Sequence, residues 1–130
     1  MKLKLAVLTA AFGLLAALPV LAHHSFAAEY DAKQPIEIKG KVTQVDWTNP
    51  HARFYVDVTD ASGKVTNWNF ELASPNVLKR NGWTRTSLKI GDEITVSGSK
   101  AKDGANMANA RSVVLADGRK VFAGSNEDGK

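Results

Sequence analysis

From residue 36 onward, apolar and polar positions alternate in short runs separated by Gly, Pro, Asn, Asp and Ser. Ile36, Ile38, Gly40 and Val42 alternate with Glu37, Lys39, Lys41 and Thr43, the period-two pattern of a half-buried strand. The apolar parity then slips by one residue to Val45 and Trp47, which predicts a bulge or sharp bend near Thr43-Gln44. A bulge there lets one long strand coil and serve both halves of a small barrel. Phe54, Val56 and Val58 alternate with Arg53, Tyr55 and Asp57. After Asp60-Ala61-Ser62-Gly63, a third strand alternates Thr66, Trp68, Phe70 and Leu72 with Asn67, Asn69 and Glu71. If both apolar sets face one core, Val56 must lie opposite Trp68, a register that an Ala61-Ser62-Gly63 loop with a left-handed Gly63 supplies. The outer face then pairs Arg53 with Glu71, Tyr55 with Asn69 and Asp57 with Asn67. It reads as a solvated sheet surface.

Ser74-Pro75 combines an N-cap with proline at the first helical position, and Asn81-Gly82 is a stop signal, so a helix of about two turns is expected between them. Ile94 to Gly98 forms a fourth strand and Ala108 to Leu115 a fifth, separated by the polar loop Lys100 to Gly104. Asp117-Gly118 marks a turn before Val121-Phe122. Three strands, a short helix and two strands give the order of an all-β, five-stranded OB-type Greek-key barrel. Ligands of such barrels meet the face of strands two and three and the loops joining strands one to two and four to five. The domain is expected over residues 36–123, with 23–35 an N-terminal arm and 124–130 a disordered polar tail.

The first 22 residues change the picture. Met1-Lys2-Leu3-Lys4 is a short basic region, Leu5 to Leu18 is almost wholly apolar, and Val20-Leu21-Ala22 offers small residues where a signal peptidase reads. A cleaved signal peptide over 1–22 and a periplasmic location are expected, with no stable membrane span after cleavage. An uncleaved anchor is disfavoured because the run is short for a span. Cleavage leaves 130 − 22 = 108 residues, enough for one domain. The formal net charge of +4 loses Lys2 and Lys4 and falls to 15 − 13 = +2, so a nucleic-acid partner is not indicated. The chain has no cysteine, so packing rather than disulfides must hold the fold, and a soft-metal site must use His or Met.

Candidate chemistry centres on the three histidines, His23, His24 and His51. Asn49-Pro50 ends one strand and places His51 at a sheet rim, in the loop between strands one and two. A chain beginning at His23 offers copper an α-amine and an imidazole from one residue. His51 would supply the second imidazole of a three-nitrogen set, as in sites described as a histidine brace. His24 and Met107 are reserve ligands. A cut one residue earlier would leave Ala22-His23-His24, another amine-plus-amide copper chelate. Zinc with the same ligands lacks a fourth donor. The bland alternative is a frayed terminus and a His51 hydrogen-bonded to backbone. A second class of function is an interaction module in which Trp47, Arg53, Tyr55, Asn69 and Glu71 hold a protein or small ligand without metal. Trp68 and Trp83 fall on core positions, and Trp47 is open between core and ligand face. No nucleophile–base pair, paired carboxylates or phosphate loop stands out, which points away from an enzyme.

His23-His24-Ser25-Phe26, Trp47 to Phe54, Asn67-Trp68, Glu71 to Asn76 and Asn81-Gly82-Trp83 together resemble a family of small exported proteobacterial proteins of unknown function. The resemblance spans the chain after residue 22. It implies export and a small β domain, and no catalytic role.

Overall fold

The structure, a computed structural model, describes residues 25–124. The elements run in the order α1 (Ser25–Glu29), β1 (Tyr30–Asp46), β2 (Arg53–Thr59), β3 (Val65–Glu71), α2 (Pro75–Arg80), β4 (Glu93–Ala101), β5 (Met107–Val114) and β6 (Lys120–Phe122). Residues 1–24, with the expected signal peptide, His23 and His24, and residues 125–130 of the expected tail lie outside the described residues.

The strands follow the order β3-β2-β1-β4-β5-β6, and a parallel β3–β5 pairing of Asn69 with Met107, Phe70 with Ala108 and Glu71 with Asn109 joins the ends. That closure makes the five main strands an OB-type barrel, with β6 extending the sheet beside β5. β1 pairs with β4 from Tyr30 to Lys41 and with β2 from Lys41 to Asp46, so a single strand serves both halves. The register shifts between Val42 and Gln44, where the slip in apolar parity predicts a bulge. At the crossing a Cβ on Gly40 would lie 2.5 Å from the Asp57 carbonyl oxygen, so the two strands approach there only because the position is glycine.

The hairpin has the expected register, with Val56 opposite Trp68, Arg53 opposite Glu71, Tyr55 opposite Asn69 and Asp57 opposite Asn67. Gly63 is left-handed at φ 85°. The Asp60 carboxylate accepts from the Ser62 hydroxyl and from the Ser62 and Lys64 backbone N–H groups, which holds it below the usual carboxylate range. Inside the barrel Phe54 stacks on Phe70 with ring centroids 5.1 Å apart, among Val42, Val56, Ile94 and Val96. α2 caps one end. Ser74 accepts from the Val77 N–H at its N-terminus, Leu78 is buried in the core, and buried Trp83 donates its indole N–H to Phe122 O at 2.7 Å.

The chain departs from the alternation at its N-terminal end. β1 begins at Tyr30, six residues before the period-two pattern, and α1 precedes it where an arm without regular structure is expected. Tyr30 and Asp31 pair with Ala101 and Lys100, and the register shifts between Asp31 and Pro35. That irregularity hides the strand, because extra residues break the alternation by which a strand is recognised.

Candidate functional site

The backbone of Ala52, next to His51, anchors the rim loop. Ala52 N–H donates to Ala73 O at 3.1 Å and Leu72 N–H donates to Ala52 O at 2.8 Å, which continues the β2–β3 pairing past the strand ends. His51 Nδ1 lies 3.0 Å from Leu72 O. A carbonyl only accepts, so Nδ1 carries a proton, and in the neutral ring Nε2 keeps the lone pair. The His51 side chain is 40% exposed.

Beside His51 stands a polar cluster built on Glu71, which is 8% exposed. Arg53 Nη2 donates to Glu71 Oε2 at 2.7 Å and the Tyr30 hydroxyl donates to the same oxygen at 3.0 Å. The other carboxylate oxygen, Oε1, lies 3.8 Å from His51 Nδ1. The second Arg53 nitrogen, Nη1, donates to Asn69 Oδ1 at 3.3 Å and lies 3.9 Å from the Met107 sulfur. Tyr30 is 1% exposed, and its burial and the neighbouring Glu71 carboxylate push its hydroxyl far above the usual tyrosine range. At neutral pH it is therefore a donor. Phe26 of α1 packs its ring 5.6 Å from that of Tyr30.

Glu71 and Arg53 thus differ from the solvated sheet surface that the alternation suggests. The expected register is present, but the Tyr30 hydroxyl reaches the end of the face and bonds the carboxylate, which is buried. Phe26 and Tyr30 are the two large anchors of the expected arm, and the alternation leaves Tyr30 off the ligand face. Its one signal is a large aromatic between two acids, Glu29 and Asp31, in a stretch otherwise short of apolar residues.

Of the remaining candidates, Trp47 is half-buried and packs against the core. Tyr55 is half-buried opposite Asn69. Met107 starts β5 opposite Asn69, at the arginine end of the Arg53–Glu71 pair, whereas His51 stands at the glutamate end. The Arg53 guanidinium thus gives the Met107 thioether a polar neighbour of its own. Among the described residues no group of three His, Asp or Glu side chains is placed to hold a metal ion. A cleft of about 420 Å³ lies between α1 and the β4–β5 loop, lined by Ala28, Glu29, Lys102, Asp103 and Met107. The Lys102 ammonium donates to Ala27 O and its backbone N–H to Glu29 O, which ties α1 to the loop.

A family model described as a family of unknown function, DUF6152, matches residues 13–110. The chain belongs to the DUF6152 family. No curated protein matches this DUF6152 chain. Similar solved structures include the mitochondrial single-stranded DNA binding protein Rim1 from S. cerevisiae, at TM-score 0.46 and 9% identity over 63% of this chain and 91% of that one. Another is the N-terminal domain of the PriB protein from Thermoanaerobacter tencongensis, a dimeric structure, at TM-score 0.42 and 15% identity over 64% of this chain and 96% of that one. The OB-type assignment rests on the strand order and the β3–β5 closure of the DUF6152 chain itself. Among the described residues no helix is long and apolar enough to cross a membrane.

Proposed function

We propose that this DUF6152 protein is a non-enzymatic periplasmic protein that binds copper through the amine and imidazole of His23, exposed by removal of residues 1–22, together with Nε2 of His51. The observation that carries the reading is the hydrogen bond of His51 Nδ1 to Leu72 O, which leaves Nε2 as the ring's acceptor on a part-exposed side chain. Backbone or carboxylate partners on the far nitrogen commonly orient metal-binding imidazoles in this way.

Reach is the second support. Phe26 packs on Tyr30, Tyr30 bonds Glu71, and Glu71 faces His51, so the chain three residues after His23 belongs to the same corner as the rim histidine. Three residues span up to about 10 Å when extended. An amine and two imidazoles suit Cu(II), which outranks the other first-row divalent ions on nitrogen ligands. His24 is the alternative donor from the terminus. Met107 is held beside Arg53 and is the weaker reserve.

The cleft between α1 and the β4–β5 loop, whose Met107 wall borders Arg53, favours a second reading, an interaction module that holds a small ligand or a protein segment there without metal. Nucleic acid fits the outer face of β2 and β3 poorly. Single-strand binding combines a basic groove with stacked aromatics, and here Tyr55 is the one aromatic in the outer-face set while Arg53 is neutralised by Glu71.

Titration of the protein with His23 as first residue separates the readings. The copper reading expects one Cu(II) per chain, lost on His51→Ala and on acetylation of the His23 α-amine. Binding that survives both changes overturns it. Mass spectrometry of the exported protein checks the premise, which requires His23 at the N-terminus.

A further inference from the structure

We propose that Glu71 is a positioning residue that couples docking of the N-terminal helix to the orientation of His51, so that one buried carboxylate holds together the two parts of the chain that carry the copper ligands. The proposal rests on the copper reading. Its geometry does not. Glu71 Oε1 faces His51 Nδ1 at 3.8 Å, while Oε2 accepts from Tyr30 at 3.0 Å and from Arg53 at 2.7 Å. Each carboxylate oxygen thus addresses a different partner segment: Oε1 the rim loop, Oε2 the start of β1 and the guanidinium.

The segment before β1 has few other holds on the barrel. Phe26 packs on Tyr30, and Lys102 supplies bonds to Ala27 O and Glu29 O. A five-residue helix is far too short to persist alone in water, so its order must come from these contacts. Tyr30 bears both the ring under Phe26 and the hydroxyl on Glu71, which makes the Tyr30–Glu71 bond the place where helix docking meets the His51 corner. On the other side, the charge of Glu71 favours the Nδ1-protonated form of His51 and so reinforces the tautomer that frees Nε2. The cluster also explains why Glu71 lies buried at all: with Arg53 alone it would be an ordinary surface pair.

Two variants test the coupling. Tyr30→Phe keeps the ring and removes only the hydroxyl. Glu71→Gln keeps the shape and removes the charge. In the metal-free protein, amide hydrogen exchange over residues 26–31 should speed up in both variants, while core amides such as Phe54 and Val96 stay protected. With Cu(II) added to protein beginning at His23, both variants should lose affinity, Glu71→Gln by about 10-fold, the low end for an outer-shell partner of a metal ligand, and Tyr30→Phe by less, because its hydroxyl acts on His51 only through Glu71. The electron paramagnetic resonance spectrum of the Glu71→Gln complex should also shift as the His51 ring reorients. If Glu71→Gln does not fold, Tyr30→Phe carries both readouts. Wild-type binding with unchanged exchange, affinity and spectrum in the variants overturns the positioning role alone. A wild-type protein that binds no copper overturns the copper reading, and with it this proposal.

Discussion

Tyr30 and Glu71, 41 residues apart in the chain, meet in a buried 3.0 Å hydrogen bond. That contact turns a cross-strand pair on an outer sheet face into a buried polar cluster. Truncating Glu71 would leave the Tyr30 hydroxyl and the Arg53 guanidinium without their common acceptor. Glu71→Ala should therefore cost about 3 kcal/mol, in the range for breaking a buried pair rather than an exposed one. Trp68 is half-buried and packs on the core, so Trp68→Ala should cost about 2–3 kcal/mol, below the range for a fully buried tryptophan. Urea denaturation of both variants measures this. A loss below about 1 kcal/mol for Glu71→Ala would mean that the Tyr30 and Arg53 bonds to the carboxylate are those of an exposed pair.

Alkaline stability follows from the same contact. Burial and the Glu71 carboxylate raise the Tyr30 hydroxyl far above its ordinary value, so the folded protein favours the neutral phenol. Neutral Tyr30 contributes its full stability below the unfolded value of about 10, and the contribution is lost as pH rises above that towards the folded value. Between pH 10 and 11 the wild type should lose up to about 1.4 kcal/mol from this residue, and Tyr30→Phe should lack that component. Urea midpoints at pH 8, 10 and 11 compare the two. In Tyr55→Phe, Tyr30 is the sole tyrosine, and its tyrosinate absorbance should appear only well above pH 10.

Gly98 faces the backbone of β5 so closely that a Cβ would lie 1.9 Å from the Asn109 carbonyl oxygen. Asn109 is buried and stands opposite Glu71 across the parallel pairing. Gly98→Ala must push β4 and β5 apart and should cost about 3 kcal/mol or more. Gly91→Ala is the control, since its Cβ would meet open space and the cost there is only the left-handed conformation at φ 94°, about 1–2 kcal/mol. Equal thermal shifts in the two variants would contradict the close approach.

The cap of α2 gives a smaller effect. Ser74 accepts from the Val77 N–H at 3.3 Å, so Ser74→Ala should lower stability by about 1 kcal/mol. Ser74→Asp should restore it. A loss above about 2 kcal/mol would assign Ser74 a role beyond the cap.

Local chemistry sufficed for much of the molecule. Period-two alternation identified β2, β3, β4 and β5, because a strand with one face on a core must repeat every second residue. The slip at Thr43-Gln44 located the bulge, Gly63 fixed the hairpin register, and Ser74-Pro75 with Asn81-Gly82 bounded α2. The rim position of His51 was legible from Asn49-Pro50 alone. Only the tertiary structure decided what meets the outer face. The start of β1 has an irregular register, so no alternation announces it, and Tyr30 reaches Glu71 only once β1 has paired with the far end of β4. Whether Glu71 is a solvated acid or a buried hub therefore depends on a contact between distant segments, which no local period records. Likewise the contact between Met107 and Arg53, 54 residues away in the chain, exists only where the parallel β3–β5 pairing brings the two together.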